Sequence, residues 1–381
     1  MKSICLVSSQ YLPHVGGVEN YVYNLSRELE KRGHNVTIIT SLIEGCAEYE
    51  KNGNIEIYRL PSYQLMNGRF PVLKCGKKRR QVKKELMSKH FDLMLVNTRF
   101  YFLSLWALKL AKKMGWRSVV LDHGSAHINT GGKLTSAVGQ LFEHWITWRE
   151  KKYCKEFAGV SRAVLKWIEH FKIYSDTVLY NSIDVDKFLS FKQSPVRSIR
   201  EEYKIPKNDT VICFVGRLTL EKGLHLLTEA MKKVNKLRDD VWLVVAGAGY
   251  LRERLEPDCS KNTIFIGQIS TPEVASLMVD SDILCLPSLS TEGFPTCILE
   301  GVVCDNYIIT TSGGGAKELI TDKDYGIILE ENTADCLYDA IMSVLDEKEY
   351  REKAIALCYD RVVNNYTWKH TADALLNLIE E

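Results

Sequence analysis

The feature that most constrains this chain is an alternation that runs through it twice. Short apolar runs, SICLVS and NVTIIT, flank a helical stretch from Val18 to Arg32 that ends at Gly33. IEIYRL, FDLMLVN, SVVLDHG and TVLYN follow, with helical patterns between most of them. Buried parallel strands read as continuous apolar runs, because both faces of their sheet are covered by the helices that cross over between them. The segment YNSIDVDKFLSFKQSPVRSIREEYKIPKND is polar, is broken by two prolines and reads as a linker. After it the alternation restarts with VICFVGR, VWLVVAGAG, NTIFIG, DILCLPS and NYIITT.

The expected class is therefore α/β, with two doubly wound Rossmann-like domains. The length of 381 residues suits two domains better than one. The expected division is 1–180 and 181–365, with a terminal helix over 366–381 that packs back on the N-terminal domain. Two such domains facing each other across a cleft would bring the C-terminal edges of both sets of strands to one site, where open α/β sheets bind ligands.

Composition narrows the setting. Eleven cysteines are scattered without a C-x-x-C pair or a Cys/His cluster at zinc-ligand spacing, which argues for free thiols rather than a disulfide framework. The N-terminal apolar stretch is too short for a signal peptide, and no run approaches the length that spans a bilayer. A cytoplasmic protein, peripheral at the inner face of the cell membrane, is the expectation. Residues 1–180 hold 28 Lys and Arg against 15 Asp and Glu, and the remainder holds 22 against 33, so the first half is expected to meet something anionic.

The chemistry-bearing motifs fall just after predicted strands. Gly16-Gly17-Val18-Glu19 opens a helix, where glycines let backbone N–H groups approach an anion; a tight turn without a ligand reads equally well. Gly216-Arg217 ends one strand, and Glu221-Lys222-Gly223 opens the next helix. Arg217 offers a forked contact to phosphate and Lys222 a point charge, so together they would neutralise a departing diphosphate without a metal. Gly247, in Ala246-Gly247-Ala248-Gly249, marks a turn where a nucleotide can pass close to the backbone, though it lacks the third glycine of a dinucleotide fingerprint.

In Glu292-Gly293-Phe294-Pro295-Thr296 and on to Glu300, a loop carboxylate precedes a helix that holds a second one. Pro295 suits the first helical turn, the N–H groups from Thr296 onward would point into the cleft, Glu292 would accept from sugar hydroxyls, and Glu300 would accept from both hydroxyls of a ribose. Asp184-Val185-Asp186 and Asp280-Ser281-Asp282 match a D-x-D metal pattern by chance, one in the linker and one at a helix-to-strand junction. No metal site and no cofactor are expected.

The order G-G-V-E, H-G, G-R with E-K-G, then E-G-F-P with a second Glu, then G-G with Glu318, resembles the family 4 glycosyltransferases, retaining and metal-independent enzymes of the GT-B fold. The resemblance runs over almost the whole chain. It implies that Gly16 and Gly17 approach the donor phosphates or the acceptor, and that His123 contacts the transferred sugar near the reacting carbon. Arg217 and Lys222 would hold the diphosphate as leaving group. Glu292 would position the sugar, with backbone amides around Phe294 and Pro295 assisting, and Glu300 would hold the ribose. The chain departs from the family pattern in lacking a proline in GVVCDNYIITT and in carrying Ser182 where the family has glycine. His34 reads as structural, and neither His14 nor His127 is expected to be catalytic.

Residues 74–90, KCGKKRRQVKKELMSKH, hold eight Lys or Arg and one Glu and read as a basic helix. Lys77, Lys78, Arg79, Arg80, Lys83 and Lys84 are expected to meet an anionic membrane surface or the acceptor, since each charge near anionic headgroups contributes about 1 kcal/mol. Interleaved aromatics and nucleic-acid signatures are absent from the stretch, which argues against nucleic acid.

The reading is transfer of a hexosyl or N-acetylhexosaminyl unit from a nucleotide diphosphate sugar, UDP favoured on family frequency, to a glycan or polyprenyl-diphosphate-linked acceptor. A GDP-mannose donor is the alternative. A glycoside hydrolase, which two carboxylates would also suit, leaves Arg217 and Lys222 unexplained, and a non-catalytic sugar-nucleotide-binding protein is a further rival.

Overall fold

A computed structural model describes all residues except Val15, Asn67, Arg69, Ile128–Gly132, Ser290, Thr291 and Glu381. Its contacts divide the chain into two compact units, Met1–Asn181 with Trp368–Glu381, and Ser182–Thr367.

The first unit contains strands β1 (Ser3–Ser8), β2 (Asn35–Ser41), β3 (Tyr49–Asn52), β4 (Ile55–Leu60), β5 (Ser62–Leu65), β6 (Phe70–Leu73), β7 (Leu93–Asn97), β8 (Ser118–Asp122) and β9 (Glu156–Gly159). Its helices are α1 (Gly17–Lys31), α2 (Lys77–Met87), α3 (Phe102–Met114), α4 (Lys133–Glu150) and α5 (Arg162–Ile168). Seven strands form one sheet in the order β3-β4-β2-β1-β7-β8-β9, parallel except for the edge strand β3, and β5 and β6 pair as a separate hairpin. The order reverses between β1 and β7, and at that point the crossovers leave a crevice beyond the strand ends. Ile4, Leu6, Ile38, Leu95 and Val120 are fully buried, as strands covered on both faces require.

The second unit contains α6 (Val185–Gln193), α7 (Ile199–Glu202), β10 (Thr210–Val215), α8 (Leu224–Val234), β11 (Val241–Ala246), α9 (Arg252–Leu255), β12 (Thr263–Gly267) and α10 (Thr271–Val279). It continues with β13 (Ile283–Leu286), α11 (Thr296–Val303), β14 (Tyr307–Thr311), α12 (Ala316–Leu319), β15 (Ile327–Leu329), α13 (Ala334–Met342) and α14 (Lys348–Asn365). Its six strands are all parallel in the order β12-β11-β10-β13-β14-β15, the Rossmann order, with the reversal between β10 and β13.

The final helix, α15 (Trp368–Glu380), belongs to the first unit. Trp368 meets the Tyr21 ring edge-on at 5.2 Å, Thr371 Oγ1 donates to the Tyr180 carbonyl at 2.9 Å, and Arg32 pairs with Asp373 at 2.5 Å. The terminal helix thus packs on α1 of the N-terminal domain.

Two sequence expectations are corrected. TVLYN forms no strand. It runs beside β9 through one isolated bridge, Gly159 to Val178, while the short and partly polar EFAG takes the sheet position. The presumed linker is folded: Asp184 caps α6 by accepting from the Lys187 amide at 3.1 Å, and Ser198 caps α7. Asp280 and Asp282 tie that segment to the sheet. Asp280 accepts from the Ser198 hydroxyl at 2.9 Å, and Asp282 accepts from Arg200 at 2.9 Å and from the Val211 amide at 2.8 Å. Both D-x-D patterns therefore contain structural carboxylates.

Candidate active site

In the first unit a cavity of about 360 Å³ opens at the strand ends where the order reverses, lined by Ser9, His14, Gly17, Thr98, Tyr101 and His123 among others. His123 follows β8 directly. Its Nε2 lies 3.0 Å from Asn97 Oδ1, and Tyr21 meets its ring edge-on at 4.9 Å. Asn97 Nδ2 donates to the Val7 carbonyl, so Oδ1 faces the histidine and Nε2 carries the proton. Burial pushes the imidazole down to about 4, so it is neutral at pH 7.

The support of His123 was not legible in the sequence. Asp122, the residue before it, pairs with Arg99 at 2.5 Å, and both are buried. Arg99 also donates to Thr147 Oγ1 at 3.2 Å and lies over the Phe171 ring at 3.8 Å. Lone Arg and Asp residues in strand-end segments carry no signal until the fold joins them.

Gly16 and Gly17 open α1 as expected, and an acidic side chain lies over that opening. Gly16 caps the helix in extended backbone, and a Cβ there would come within 2.4 Å of Glu19 Oε2. The Glu19 carboxylate is buried, folds back over the helix start and pairs with His14 Nδ1 at 3.0 Å. A negative group already occupies the positive end of this helix. A Cβ on Gly17 would meet nothing within 4 Å, so the space beside it is open.

The second unit gathers most of the remaining motif residues around the reversal between β10 and β13. Gly216 and exposed Arg217 follow β10, and Lys222 lies in a 3-10 turn, Leu220–Lys222, ahead of α8. Lys222 Nζ sits 2.6 Å from Glu292 Oε1, which also accepts from the Ser288 hydroxyl at 2.6 Å. The two loops are held by backbone, with the Leu289 amide donating to the Glu221 carbonyl at 2.7 Å. Gly223 has φ of +70°, and a Cβ there would strike the Pro287 carbonyl oxygen at 1.9 Å. Only glycine permits this approach of the Lys222 turn to the β13 loop.

The loop before α11 is fixed in the same manner. The Gly315 amide donates to the Gly293 carbonyl at 3.0 Å, and the Phe294 ring is buried against Gly315 and beside Tyr366 at 5.1 Å. Phe294 thus anchors the loop through its side chain. Pro295 is corrected in two respects: it is the N-cap rather than the first helical residue, and with no N–H it donates to nothing. The amides of Thr296 and Cys297 begin α11 and have no earlier helical carbonyl to bond.

Glu300 lies in the second turn of that helix, partly buried, and burial raises its carboxyl to about 7 against the opposing pull of Lys187. Burial, Glu292 and Glu300 together raise the Cys297 thiol, which places both carboxylates near one sulfur. Gly247 has a structural reason of its own. Its φ is +142°, and a Cβ would meet the Gly216 carbonyl oxygen at 1.8 Å, so the chain's own backbone requires this glycine.

The basic stretch forms α2 and buries only Val82 and Leu86 on it. Lys77, Arg80 and Lys84 are exposed, Lys83 is half-buried, Lys78 pairs with Glu48, and Arg79 reaches Cys75 Sγ at 3.2 Å. A larger hollow of about 580 Å³ in the second unit is lined by none of the expected catalytic or donor-binding residues, and its Lys192 is paired with Asp305 at 2.6 Å. Size alone does not mark the site here.

Comparisons with known proteins bear on the enzyme class and the fold. The model of glycosyltransferase family 4 matches residues 15–187, and that of glycosyl transferases group 1 matches residues 195–358. An uncharacterized glycosyltransferase of Methanocaldococcus jannaschii is 24% identical over 97% of this chain and 96% of its own. The GPI3 subunit of phosphatidylinositol N-acetylglucosaminyltransferase from Saccharomyces cerevisiae is 25% identical over 97% of this chain and 81% of its own. The Anabaena HepE protein, solved with UDP, superposes with a TM-score of 0.73 over 100% of both chains at 14% identity, and it has also been solved with UDP-glucose. Motif order, the matching family models and two Rossmann-like units converge: this chain belongs to the family 4 glycosyltransferases of the GT-B fold.

Proposed function

We propose that the protein moves a hexosyl or N-acetylhexosaminyl unit from a UDP-sugar to a sugar hydroxyl of a glycan or polyprenyl-diphosphate-linked acceptor, with retention of configuration and without a metal. The observation that carries this reading is the Lys222–Glu292 pair at the β10/β13 reversal, with Arg217 exposed beside it. A cation next to a carboxylate matches a donor whose diphosphate adjoins its sugar. Lys222 and Arg217 balance the charge that builds on the leaving diphosphate, and fixed charges of this kind act without reorganising during reaction. The amides of Thr296 and Cys297 at the start of α11, with no bond among the described residues, add a positive end. Glu300, with no hydrogen bond to its carboxylate among the described residues, is available to the ribose hydroxyls.

Likeness to a protein solved with UDP and UDP-glucose supports uridine as the base, and likeness to an N-acetylglucosaminyltransferase supports an aminosugar among the candidates. In the first unit, neutral His123 and the Glu19–His14 pair suit hydroxyl groups better than phosphate, which favours the acceptor or the transferred sugar there.

The membrane part of the reading draws more support from α4 than from α2. Val138, Leu141, Trp145 and Trp148 are exposed and follow helical spacing along one face. Lys152 lies 3.5 Å from the centre of the Trp148 ring, and Lys155 is nearby in sequence. Tryptophans flanked by cations suit an anionic headgroup layer. No helix among the described residues is long and apolar enough to cross a membrane.

A donor panel tests the proposal. UDP-sugars are expected to turn over in the presence of EDTA with a product of retained anomeric configuration. Turnover only with GDP-mannose would replace the base, an inverted product would remove the retaining mechanism, and full loss on chelation would remove metal independence. Sedimentation with vesicles containing anionic lipid is expected to pull down wild type and not a Trp145→Ser/Trp148→Ser variant.

A further inference from the structure

Three histidines of the first unit, none of them used by the proposed transfer, meet beside the loop that carries His123. His127 lies four residues beyond it, His144 is on α4, and His170 is in the 3-10 turn Glu169–Phe171 after α5. One ring nitrogen from each lies within 4.8 Å of the others. The Nε2 atoms of His144 and His170 face each other at 3.2 Å. Zinc–imidazole bonds of about 2.0–2.1 Å in a tetrahedral site put neighbouring nitrogens about 3.3–3.4 Å apart. The observed separation is close to one edge of such a tetrahedron.

The surroundings are those of a ligand set. His127 Nδ1 lies 2.5 Å from Glu143 Oε2, and the Glu143 side chain is fully buried. A buried carboxylate on Nδ1 holds the proton there and leaves the lone pair on Nε2, which is how histidine ligands are oriented. Trp167 stacks on the His170 ring at 5.4 Å and 10°, and meets His127 edge-on at 4.9 Å. His144 and His170 are exposed, so an ion can reach the group from solvent.

We propose that His127, His144 and His170 bind one divalent first-row transition ion, zinc foremost, with solvent completing the shell. Imidazole donors select this class of ion over calcium or magnesium. The ion joins the loop after β8, helix α4 and the turn after α5, and so clips the segment that follows His123. It is separate from the diphosphate chemistry of the second unit, so the site stands or falls independently of metal-free transfer.

The test uses the full chain purified without a polyhistidine tag. Titration with Co²⁺ and competition by Zn²⁺ are followed by visible d–d absorption, with metal content measured by atomic emission. One equivalent is expected in wild type, together with a rise in Tm that zinc does not produce in the His144→Ala/His170→Ala variant. That double variant changes exposed side chains only and is expected to lose the absorption. Glu143→Gln is expected to weaken binding about 10–100-fold at unchanged stoichiometry, a typical outer-shell effect. Failure of wild type to bind one equivalent at micromolar ion overturns the proposal. Binding of one equivalent that persists in the folded double variant also overturns it.

Discussion

Each unit places a glycine- or proline-opened helix beside its strand reversal, α1 after β1 and α11 after β13, yet the two openings carry opposite charge. At α1 the Glu19 carboxylate lies over Gly16 and pairs with His14. At α11 no side chain among the described residues caps the helix start, and the nearby Lys222 is matched by Glu292, with Arg217 exposed on the adjoining loop. The fold supplies the crevice, while a few side chains decide the sign of what enters it. The local charges also run against the bulk ones, because the half with the excess of Lys and Arg carries the acidic helix opening. Net charge therefore describes the outer surface of each unit, not its site.

The largest expected effect comes from removing the cations of the second unit. Lys222→Ala is expected to lower kcat about 10²–10³-fold, as loss of one preorganised charge does elsewhere, whereas Glu19→Gln leaves donor KM unchanged. Steady-state kinetics on both variants would break the comparison if Glu19→Gln raised donor KM as much as Lys222→Ala does. Next come the glycines. Gly223→Ala forces a Cβ into the Pro287 carbonyl at positive φ and should cost about 1–3 kcal/mol in urea unfolding. Gly17→Ala, which meets open space, should stay within about 0.5 kcal/mol.

Glu300 sharpens the contrast through pH. Its carboxyl, raised to about 7 in the free protein, must lose its proton to accept from both ribose hydroxyls. Nucleotide affinity should therefore rise, by about tenfold, as pH increases through 7. The rise should be absent from calorimetric titrations of Glu300→Gln.

The smallest effect is on stability. Glu150, fully buried and without a well-placed hydrogen-bond partner among the described residues, has its carboxyl raised to about 8 by burial against the pull of Arg99 and the Phe100 amide. A raised carboxyl contributes stability that is complete below its ordinary 4.5 and lost as pH climbs through about 8. Wild type should lose Tm on that alkaline limb and Glu150→Gln should not. His123, lowered to about 4, acts in the other direction: its contribution is complete above its ordinary 6.5 and lost as pH falls.

Much of this was legible because it is local. The strand runs that start at Ser3, Ile55 and Val241 announced themselves by unbroken apolar character, and the Glu292 to Glu300 spacing lies within one loop and one helix. What escaped depends on tertiary contact. TVLYN has strand composition, but the sheet edge beside it was taken by four residues led by a glutamate. Pro295 carried a helix-start signal whose position by one residue only backbone geometry sets. The Arg99–Asp122 pair and the three histidines are assembled from segments far apart in sequence, so no spacing rule could find them. Glu19 sits in a stretch that reads as a phosphate-type opening, and only the fold shows its carboxylate turned back over the helix.

The central claim is that the nucleotide is held by the second unit. Calorimetric titration of UDP into wild type, Lys222→Ala, Glu300→Gln and Glu19→Gln at pH 8 tests it most directly. Binding is expected in wild type and Glu19→Gln alike, and weakened about tenfold or more in each of the other two. Binding unchanged by Lys222→Ala and Glu300→Gln but lost in Glu19→Gln would contradict it.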